Sequence, residues 1–150
     1  MDGARQQGFT LIELMVVLVI VGIASAAISL SIKPDPLHLL RKDAESVAQL
    51  FRLAQAEARA DGRPIVWSAD AKGFRFSRKD DNGRSVEHFN TDPQLRPRLW
   101  QSTAMEVRVE PRRPVILNAE WIGQPLLVRL SDGHNNIVVQ RNASGQVSVQ

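Results

Sequence analysis

The most strongly apolar stretch of the chain lies near its N-terminus. Residues 14–32 form a run of 19 consecutive uncharged residues, bounded by Glu13 on one side and Lys33 on the other. At a helical rise of ~1.5 Å per residue the run would extend roughly 28 Å, about the thickness of a bilayer's hydrocarbon core. Aliphatic side chains fill every face, which predicts a helix over residues 9–32 that is hydrophobic all round and spans a membrane.

A second, amphipathic helix is predicted within residues 33–62. Pro34 and Pro36 discourage direct continuation of the first helix. Asp35-Pro36 has the composition of a helix start and Asp61-Gly62 that of a helix end. Apolar residues recur at spacings of four and three: Leu40, Ala44, Val47, Phe51, Ala54 and Ala58, with Leu50 and Leu53 widening the stripe. A coiled coil would show a similar stripe, but the small alanines and the short length favour a helix laid against a sheet.

After Gly62 the pattern changes from helical to alternating, which predicts strands throughout residues 63–150. Hairpin composition appears at Asp70–Gly73 and at "DDNGR", residues 80–84. Predicted strands lie in "PIVWSA", "GFRFSR", "SVEHFN", "MEVRVE", "PVILNAEW" and three short segments of "PLLVRLSDGHNNIVVQRNASGQVSV", whereas "TDPQLRPRLW" is predicted as a proline-rich loop. The predicted fold class is therefore α+β, with a helical spine, an amphipathic helix and a mainly antiparallel sheet region of one sheet or two packed sheets.

Composition adds little to the predicted fold, but it argues against several classes of functional site. The chain is 43% hydrophobic with a net charge of +3, a mild excess that permits contact with anionic partners without requiring it. The absence of cysteine excludes disulfides and thiolate chemistry. His38, His88 and His134 are isolated from other ligands, and the sequence contains no G-x-S-x-G and no phosphate-binding glycine loop. We therefore expect no enzyme, no metal site and no cofactor; Asp80 to Asn82 fit a polar hairpin better than a calcium loop.

Three interpretations of the N-terminal segment remain open on hydrophobicity alone. It can be an ordinary signal anchor, or a cleaved signal with a small-residue site at Ala24-Ser25-Ala26. The third interpretation takes residues 1–8 as a short leader that is cut between Gly8 and Phe9. Against a secretory signal, the leader has only Arg5 and the amino terminus as positive charge, and Glu13 lies at the mouth of the apolar run.

The stretch "GFTLIELMVVLVIVGI" resembles the N-terminal signature of type IV prepilins and of the pseudopilins of type II secretion. The resemblance implies cleavage after Gly8 by a membrane prepilin peptidase and N-methylation of the new terminus, Phe9. Glu13 is then the fifth residue of the mature chain, where the family has a glutamate. The carboxylate would pair with the N-terminal amine of a neighbouring subunit, since both charges are costly in lipid unless they meet.

The order of elements also resembles the H-type minor pseudopilins of type II secretion and the related FimT-like minor pilins. The likeness rests on "ADGRPI", "GFRF" and "PVILNAEWIGQPLLVRLSDG". It implies a structural subunit, held by one membrane span in the bacterial inner membrane, with its C-terminal domain in the periplasm. Its expected partners are other pseudopilins, the prepilin peptidase and an exported protein substrate. Pro34 and Pro36 depart from relatives with one continuous helix.

A cluster of arginines offers the main alternative function. Arg96, Arg98, Arg108, Arg112 and Arg113 form the densest basic group of the sequence. A FimT-like pilin binding DNA during uptake would use such residues, above all Arg112 and Arg113, for phosphate contact. The interspersed Asp92, Glu106 and Glu110 favour a solvated face over nucleic-acid binding. Trp67, Trp100 and Trp121 are interpreted as core or interface anchors.

Overall fold

A computed structural model of the protein describes residues 10–31, 35–118 and 125–150. The chain divides into two units, Met1–Pro34 and Asp35–Gln150. The first contains helix α1, Leu11–Ser31, and the second contains helix α2, Pro36–Asp61, followed by nine strands among the residues described. The two predicted helices are therefore separate elements.

Helix α1 starts at a threonine. The backbone N–H of Glu13 donates to the Thr10 carbonyl oxygen at 3.1 Å and to its hydroxyl at 3.4 Å, and the N–H of Leu14 donates to the same carbonyl. Thr10 thus provides acceptors for the first free amides of the helix. Among the described residues, no helix combines the length and the apolar character needed to cross a membrane.

Helix α2 is bounded as its sequence predicts. The Asp35 carboxylate accepts a hydrogen bond from the Leu37 N–H at 3.1 Å, and Pro36 occupies the first turn, where its missing N–H costs nothing. Gly62 ends the helix in the left-handed conformation, with φ of 67°, which a residue without Cβ adopts readily.

The apolar stripe of α2 packs against the sheets. Its buried apolar positions are Leu40, Ala44, Val47, Ala48, Leu50, Phe51, Ala54 and Ala58. They contact strands that belong to both sheets described below, which confirms the prediction of a helix laid on a sheet rather than a coiled coil. Asp43 and Gln55 are also buried in this helix, which the pattern did not predict.

The strands form two antiparallel sheets. Their bounds are β1 Ile65–Ala69, β2 Gly73–Lys79, β3 Val86–His88, β4 Arg98–Leu99, β5 Glu106–Glu110, β6 Val115–Leu117, β7 Leu126–Ser131, β8 Asn136–Arg141 and β9 Val147–Val149. The first sheet has the order β3-β2-β1-β6, with β4 also paired to β2, and the second has the order β5-β7-β8-β9. The predicted α+β class, and its version with two sheets, is confirmed.

One strand lies where a loop was predicted. Arg98 and Leu99 pair with Phe74 and Gly73 of β2 as the short strand β4, inside the stretch that its prolines marked as irregular. Two residues are too few to show alternation, so the pattern had no means of detecting them. The predicted strand "PVILNAEW" is observed only as β6, because residues 119–124 lie outside the described part of the chain.

Aromatic rings connect α2 to the first sheet. Phe51 of α2 meets Trp67 of β1 edge-on, with ring centroids 5.2 Å apart. Phe74 of β2 lies 6.2 Å from Trp67 and 4.8 Å from Trp100. Trp67 and Trp100 are both buried, which confirms them as core anchors, while Trp121 lies outside the described residues. Rings this large supply much of the apolar area that holds the layers together.

Three aspartates organise the hairpin turns. Asp70, Asp80 and Asp132 each accept two backbone N–H groups from their own turn, which stabilises the reversal of the chain. The side chain of Asn135, followed by the backbone N–H groups of Asn135 and His134, lowers the pKa of Asp132 to about 2. At Asp80 the Ser85 hydroxyl and N–H lower the pKa in the same direction. The predicted polar hairpin at residues 80–84 is confirmed.

The turn at Asp132 should make folding stability depend on acid. A carboxyl whose pKa is depressed in the fold stabilises it above the pKa of the unfolded chain, about 3.9, and loses this effect as pH falls towards 2. We expect Asp132→Ala to unfold at lower urea concentration than the parent at pH 7, with the difference shrinking between about pH 4 and pH 2. Denaturation curves at several pH values measure it. Glu57→Ala, at an exposed position of α2, is the control, and a gap that stays constant with pH would contradict the prediction.

Candidate assembly surfaces

The first candidate surface is the side of α1 that carries Glu13. The residue lies in the first turn of the helix, where the positive end of the helix dipole favours a carboxylate. No ion pair among residues 10–31, 35–118 and 125–150 includes Glu13. Gly8 and Phe9, the predicted cleavage and methylation residues, lie outside the described residues. The structure therefore shows the position of Glu13, whereas its predicted partner, the terminal amine of Phe9 in a neighbouring subunit, lies outside the described residues.

The large side chains in the rest of α1 are apolar. Every large apolar side chain from Leu11 to Ile23 is more than half exposed, from 51% at Val16 to 79% at Leu11. Exposed apolar area of this extent on all faces requires either lipid or other protein around it. Glu13 is the charged residue of α1, and a carboxylate at the start of such a helix can set its axial position.

The predicted arginine cluster is divided by the fold. Arg98 lies in β4 of the first sheet, whereas Arg108 lies in β5 of the second and pairs with Glu106 at 2.6 Å. Arg112 and Arg113 are exposed in the segment between β5 and β6. The predicted cluster is therefore spread over two sheets and the segment between β5 and β6. The carboxylates that alternate with these arginines in sequence pair with cations in space, and Glu110 pairs with Arg129 at 3.8 Å.

Arg78 connects the end of α2 to the first sheet. Its guanidinium contacts the Asp61 carboxylate at 2.6 Å and the Glu87 carboxylate at 2.8 Å, and it lies 5.1 Å from the centroid of the Phe89 ring. The hydrogen bond from Arg78 is the main cause that lowers the pKa of Glu87, and the same bond raises the pKa of Arg78. This cluster is structural, since the guanidinium and both carboxylates are already paired.

A further candidate surface surrounds Leu99, which belongs to the segment predicted as a proline-rich loop. Leu99 is 80% exposed, the most exposed large apolar side chain of the second unit among the residues that the structure describes. It lines two neighbouring grooves, of about 370 Å³ and 460 Å³. Lys72, Arg75 and Arg98 line the first groove and Arg96 and Arg98 the second.

The backbone around Leu99 is held in place on both sides. Before it, the close approach of β4 to β2 depends on Gly73, where a Cβ would lie 2.2 Å from the Arg98 carbonyl oxygen. After it, Trp100 donates from its indole to the Asp70 carbonyl at 2.8 Å and from its backbone to the Lys72 carbonyl at 3.1 Å. The buried Asp43 carboxylate then accepts the N–H groups of residues 101 and 102.

The structure places the three histidines in separate elements of the second unit, His38 in α2, His88 in β3 and His134 in the turn before β8. His38, His88 and His134 are all exposed. Within the described part of the chain, no group of three potential ligands is close enough to hold a metal ion. The buried Asp43 carboxylate accepts the backbone N–H groups of Gln101 and Ser102, next to the groove that Leu99 lines.

An apolar helix with an acidic residue in its first turn, followed by a helix packed on two antiparallel sheets, is the architecture of a pilin-like subunit. The prokaryotic N-terminal methylation motif matches residues 3–29, and the family model of the type II transport protein GspH matches residues 43–148. The chain belongs to the GspH family of type II transport proteins. It is a structural minor pseudopilin of type II secretion, and the DNA-uptake alternative is not favoured by these matches.

Comparison with solved structures agrees on the fold. The minor pseudopilin EpsH from the type 2 secretion system of Vibrio cholerae matches with a TM-score of 0.59 and 12% sequence identity, over 74% of this chain and 95% of that one. At this identity the likeness shows the fold alone. No curated protein sequence matches the chain. The family is one of structural subunits and is not known for enzymatic activity.

Proposed function

We propose that the protein is made as an inner-membrane precursor, cut between Gly8 and Phe9 by a prepilin peptidase, methylated at Phe9 and packed through α1 into a periplasmic pseudopilus. Residues 1–8 are then the leader, residues 9–32 the membrane and assembly helix, and residues 33–62 and 63–150 the amphipathic helix and β-rich part on the periplasmic side. The methylation motif over residues 3–29 supports this order of events.

The observation that carries the proposal is the position of Glu13. It is the acidic residue of the first turn in a helix whose described large side chains are otherwise apolar and exposed. In lipid such a charge costs about 2.5–3.5 kcal/mol by insertion scales, so it persists where a partner neutralises it. Cleavage after Gly8 creates a cation on Phe9, four residues earlier in the sequence.

Pairing between subunits follows from the spacing. Parallel helices that pack with an axial stagger bring the carboxylate of one subunit to the terminal amine of the next, so each charge is neutralised by its neighbour. The exposed apolar side chains of α1 supply the remaining contacts, since they pack equally well against another helix or against lipid. Assembly is therefore driven by helix packing and given its axial register by one ion pair.

The second unit determines which neighbours the subunit accepts. Its described core residues lie between Leu40 and Val147, and its outer faces would contact other pseudopilins and an exported protein. No turnover chemistry is required of it. The contribution of the protein to export is to occupy a defined place in the filament.

N-terminal peptide mass spectrometry on the protein from membranes tests the proposal. In cells with the prepilin peptidase we expect a mature chain that begins at N-methylated Phe9, and in cells without it the intact precursor from Met1. A chain that begins after Ala26, or one left uncut in the presence of the peptidase, would contradict the proposal. The first of these outcomes would identify an ordinary secretory signal instead.

A further inference from the structure

We propose that the Leu99 surface, defined here as Leu99 with Lys72, Arg75, Arg96 and Arg98, docks an acidic polypeptide segment that carries an apolar side chain. The inference concerns the second unit alone and does not depend on processing or helix pairing at the N-terminus. It commits to a protein partner, recognised by negative charge and by one apolar contact.

The first argument is the exposure of a leucine on a fixed backbone. Single exposed apolar residues are ordinary on protein surfaces and need no explanation by themselves. Leu99 differs because its strand is pinned to β2 by pairing with Gly73, and its neighbour Trp100 is anchored by two hydrogen bonds. Trp100 is buried while Leu99 is 80% exposed, so the fold itself needs a side chain at 100 and none at 99.

A fixed apolar side chain is well suited to binding. Ordering a flexible loop on association costs free energy, and a segment already ordered avoids that cost. Asp43 contributes to this order, because its buried carboxylate accepts N–H groups from Gln101 at 3.0 Å and Ser102 at 2.9 Å. Leu99 is thus presented between two fixed attachments, in the manner of a central contact residue with grooves around it.

The second argument is charge. The two grooves that Leu99 lines contain four cationic side chains, Lys72, Arg75, Arg96 and Arg98, against two carboxylates. Arg75 pairs with Asp70 at 3.7 Å, which leaves Lys72, Arg96 and Arg98 against the buried Asp43. Both carboxylates also accept backbone N–H groups. Asp70 accepts N–H groups from Lys72 and Gly73, and these two bonds are the main causes that lower its pKa, while Asp43 accepts those of residues 101 and 102. The excess of positive charge around an apolar centre is complementary to an acidic segment.

The same features disfavour a nucleic acid as the occupant. Single-stranded nucleic acid binds through bases stacked on exposed aromatic rings along a basic groove. The aromatic side chain that lines both grooves, Phe74, is only 4% exposed, and Leu99 offers no stacking face. Grooves of 370 Å³ and 460 Å³ hold a few side chains rather than a strand.

Binding of short labelled peptides to the full chain in detergent micelles tests the proposal. The probes are a peptide of alternating glutamate and leucine, a second with lysine in place of glutamate, a third with serine in place of leucine, and a single-stranded oligothymidine. Fluorescence anisotropy at low and high salt gives each affinity. We expect the glutamate–leucine peptide to bind most tightly and to weaken with salt.

Matched variants locate the binding. Leu99→Ser and Lys72→Glu are each expected to weaken the glutamate–leucine peptide by roughly tenfold. Arg108→Glu, which makes the same charge change at a 66% exposed position of the second sheet, is expected to change the affinity less than about twofold. Because Leu99 is so exposed, its replacement leaves the core intact.

Three results would overturn the proposal. One is an equal loss of affinity in Arg108→Glu, which would mean general attraction to a basic protein. Another is oligothymidine binding that exceeds peptide binding and resists Leu99→Ser, which would identify a nucleic-acid surface. The third is a failure of the glutamate–leucine peptide to bind. None of them bears on the N-terminal mass, so failure here is distinguishable from failure of the proposed function.

A photo-crosslinking amino acid at position 99 carries the test into cells that contain the complete secretion system. The crosslinked peptide, identified by mass spectrometry, should be net acidic and should disappear when Lys72→Glu is added. A crosslinked peptide that is net basic, or an adduct with lipid, would contradict the assignment.

Discussion

Glu13→Gln is expected to reduce incorporation of the processed chain into a filament by roughly a hundredfold. Glutamine keeps the size and the hydrogen-bonding capacity of the side chain and removes only its charge. The N-terminal amine of the neighbouring subunit then enters an apolar environment without an anion, at the cost of a bare charge in lipid. The helix itself should still form, because Thr10 accepts the Glu13 backbone N–H in either variant.

The measurement is photo-crosslinking from Val17 of α1 to other pseudopilins, in cells that produce the whole system. Val17 is exposed on the helix, so a crosslinker there reports on packing of α1 and not on the second unit. Glu13→Asp, which keeps the charge, is the control and should retain most of the adduct. N-terminal mass spectrometry must show that both variants are cut and methylated. Full crosslinking in a correctly processed Glu13→Gln would contradict the pairing.

Gly73→Ala should destabilise the second unit by about 2–3 kcal/mol. The added Cβ would lie 2.2 Å from the Arg98 carbonyl oxygen and 3.1 Å from the Leu99 Cα, and both are backbone atoms that cannot rotate away. Either β4 separates from β2 or the hairpin at Asp70 deforms, and in both cases the hydrogen bonds of Trp100 to Lys72 and Asp70 are strained.

Urea denaturation followed by tryptophan fluorescence measures this effect, because Trp100 is adjacent to the clash. Gly62→Ala is the matched control: nothing lies within 4 Å of its Cβ, and its φ of 67° alone should cost about 1 kcal/mol. Equal stability of the two variants would mean that β4 is loosely attached. In that case the fixed presentation of Leu99 would also be wrong.

Much of the fold could be predicted because its signals are local. The stripe from Leu40 to Ala58 has helical spacing, and Asp70–Gly73 has the composition of a tight turn, so neither depends on distant parts of the chain. Strand β4 could not be predicted in this way. Its two residues pair with β2 because Gly73, 25 positions before Arg98, has no side chain and lets the two backbones approach closely. A contact between residues so far apart in sequence leaves no periodic pattern of apolar and polar positions.

The two candidate surfaces also differ in how far they could be predicted from the sequence. Glu13 is visible in the sequence because a single carboxylate interrupts an apolar run and because the run resembles a known signature. The Leu99 surface could not be predicted from the sequence, since the exposure of a leucine depends on the tertiary structure around it. Asp43 illustrates the point: it is adjacent to the apolar stripe of α2 and reads as a surface residue, but the loop at residues 101 and 102 covers it.

Helix α2 has its own beginning, where the Asp35 carboxylate accepts the Leu37 N–H. Among the residues that the structure describes, those of the hydrophobic core lie at or after Leu40. The core that the structure describes is therefore built from residues of the second unit. A subunit built this way can reach its final shape while its apolar helix is still in the bilayer, and it enters a filament already folded. We then expect the effects of mutations in the two units on the free energy of unfolding to add. Their effects on the equilibrium constant for assembly should multiply.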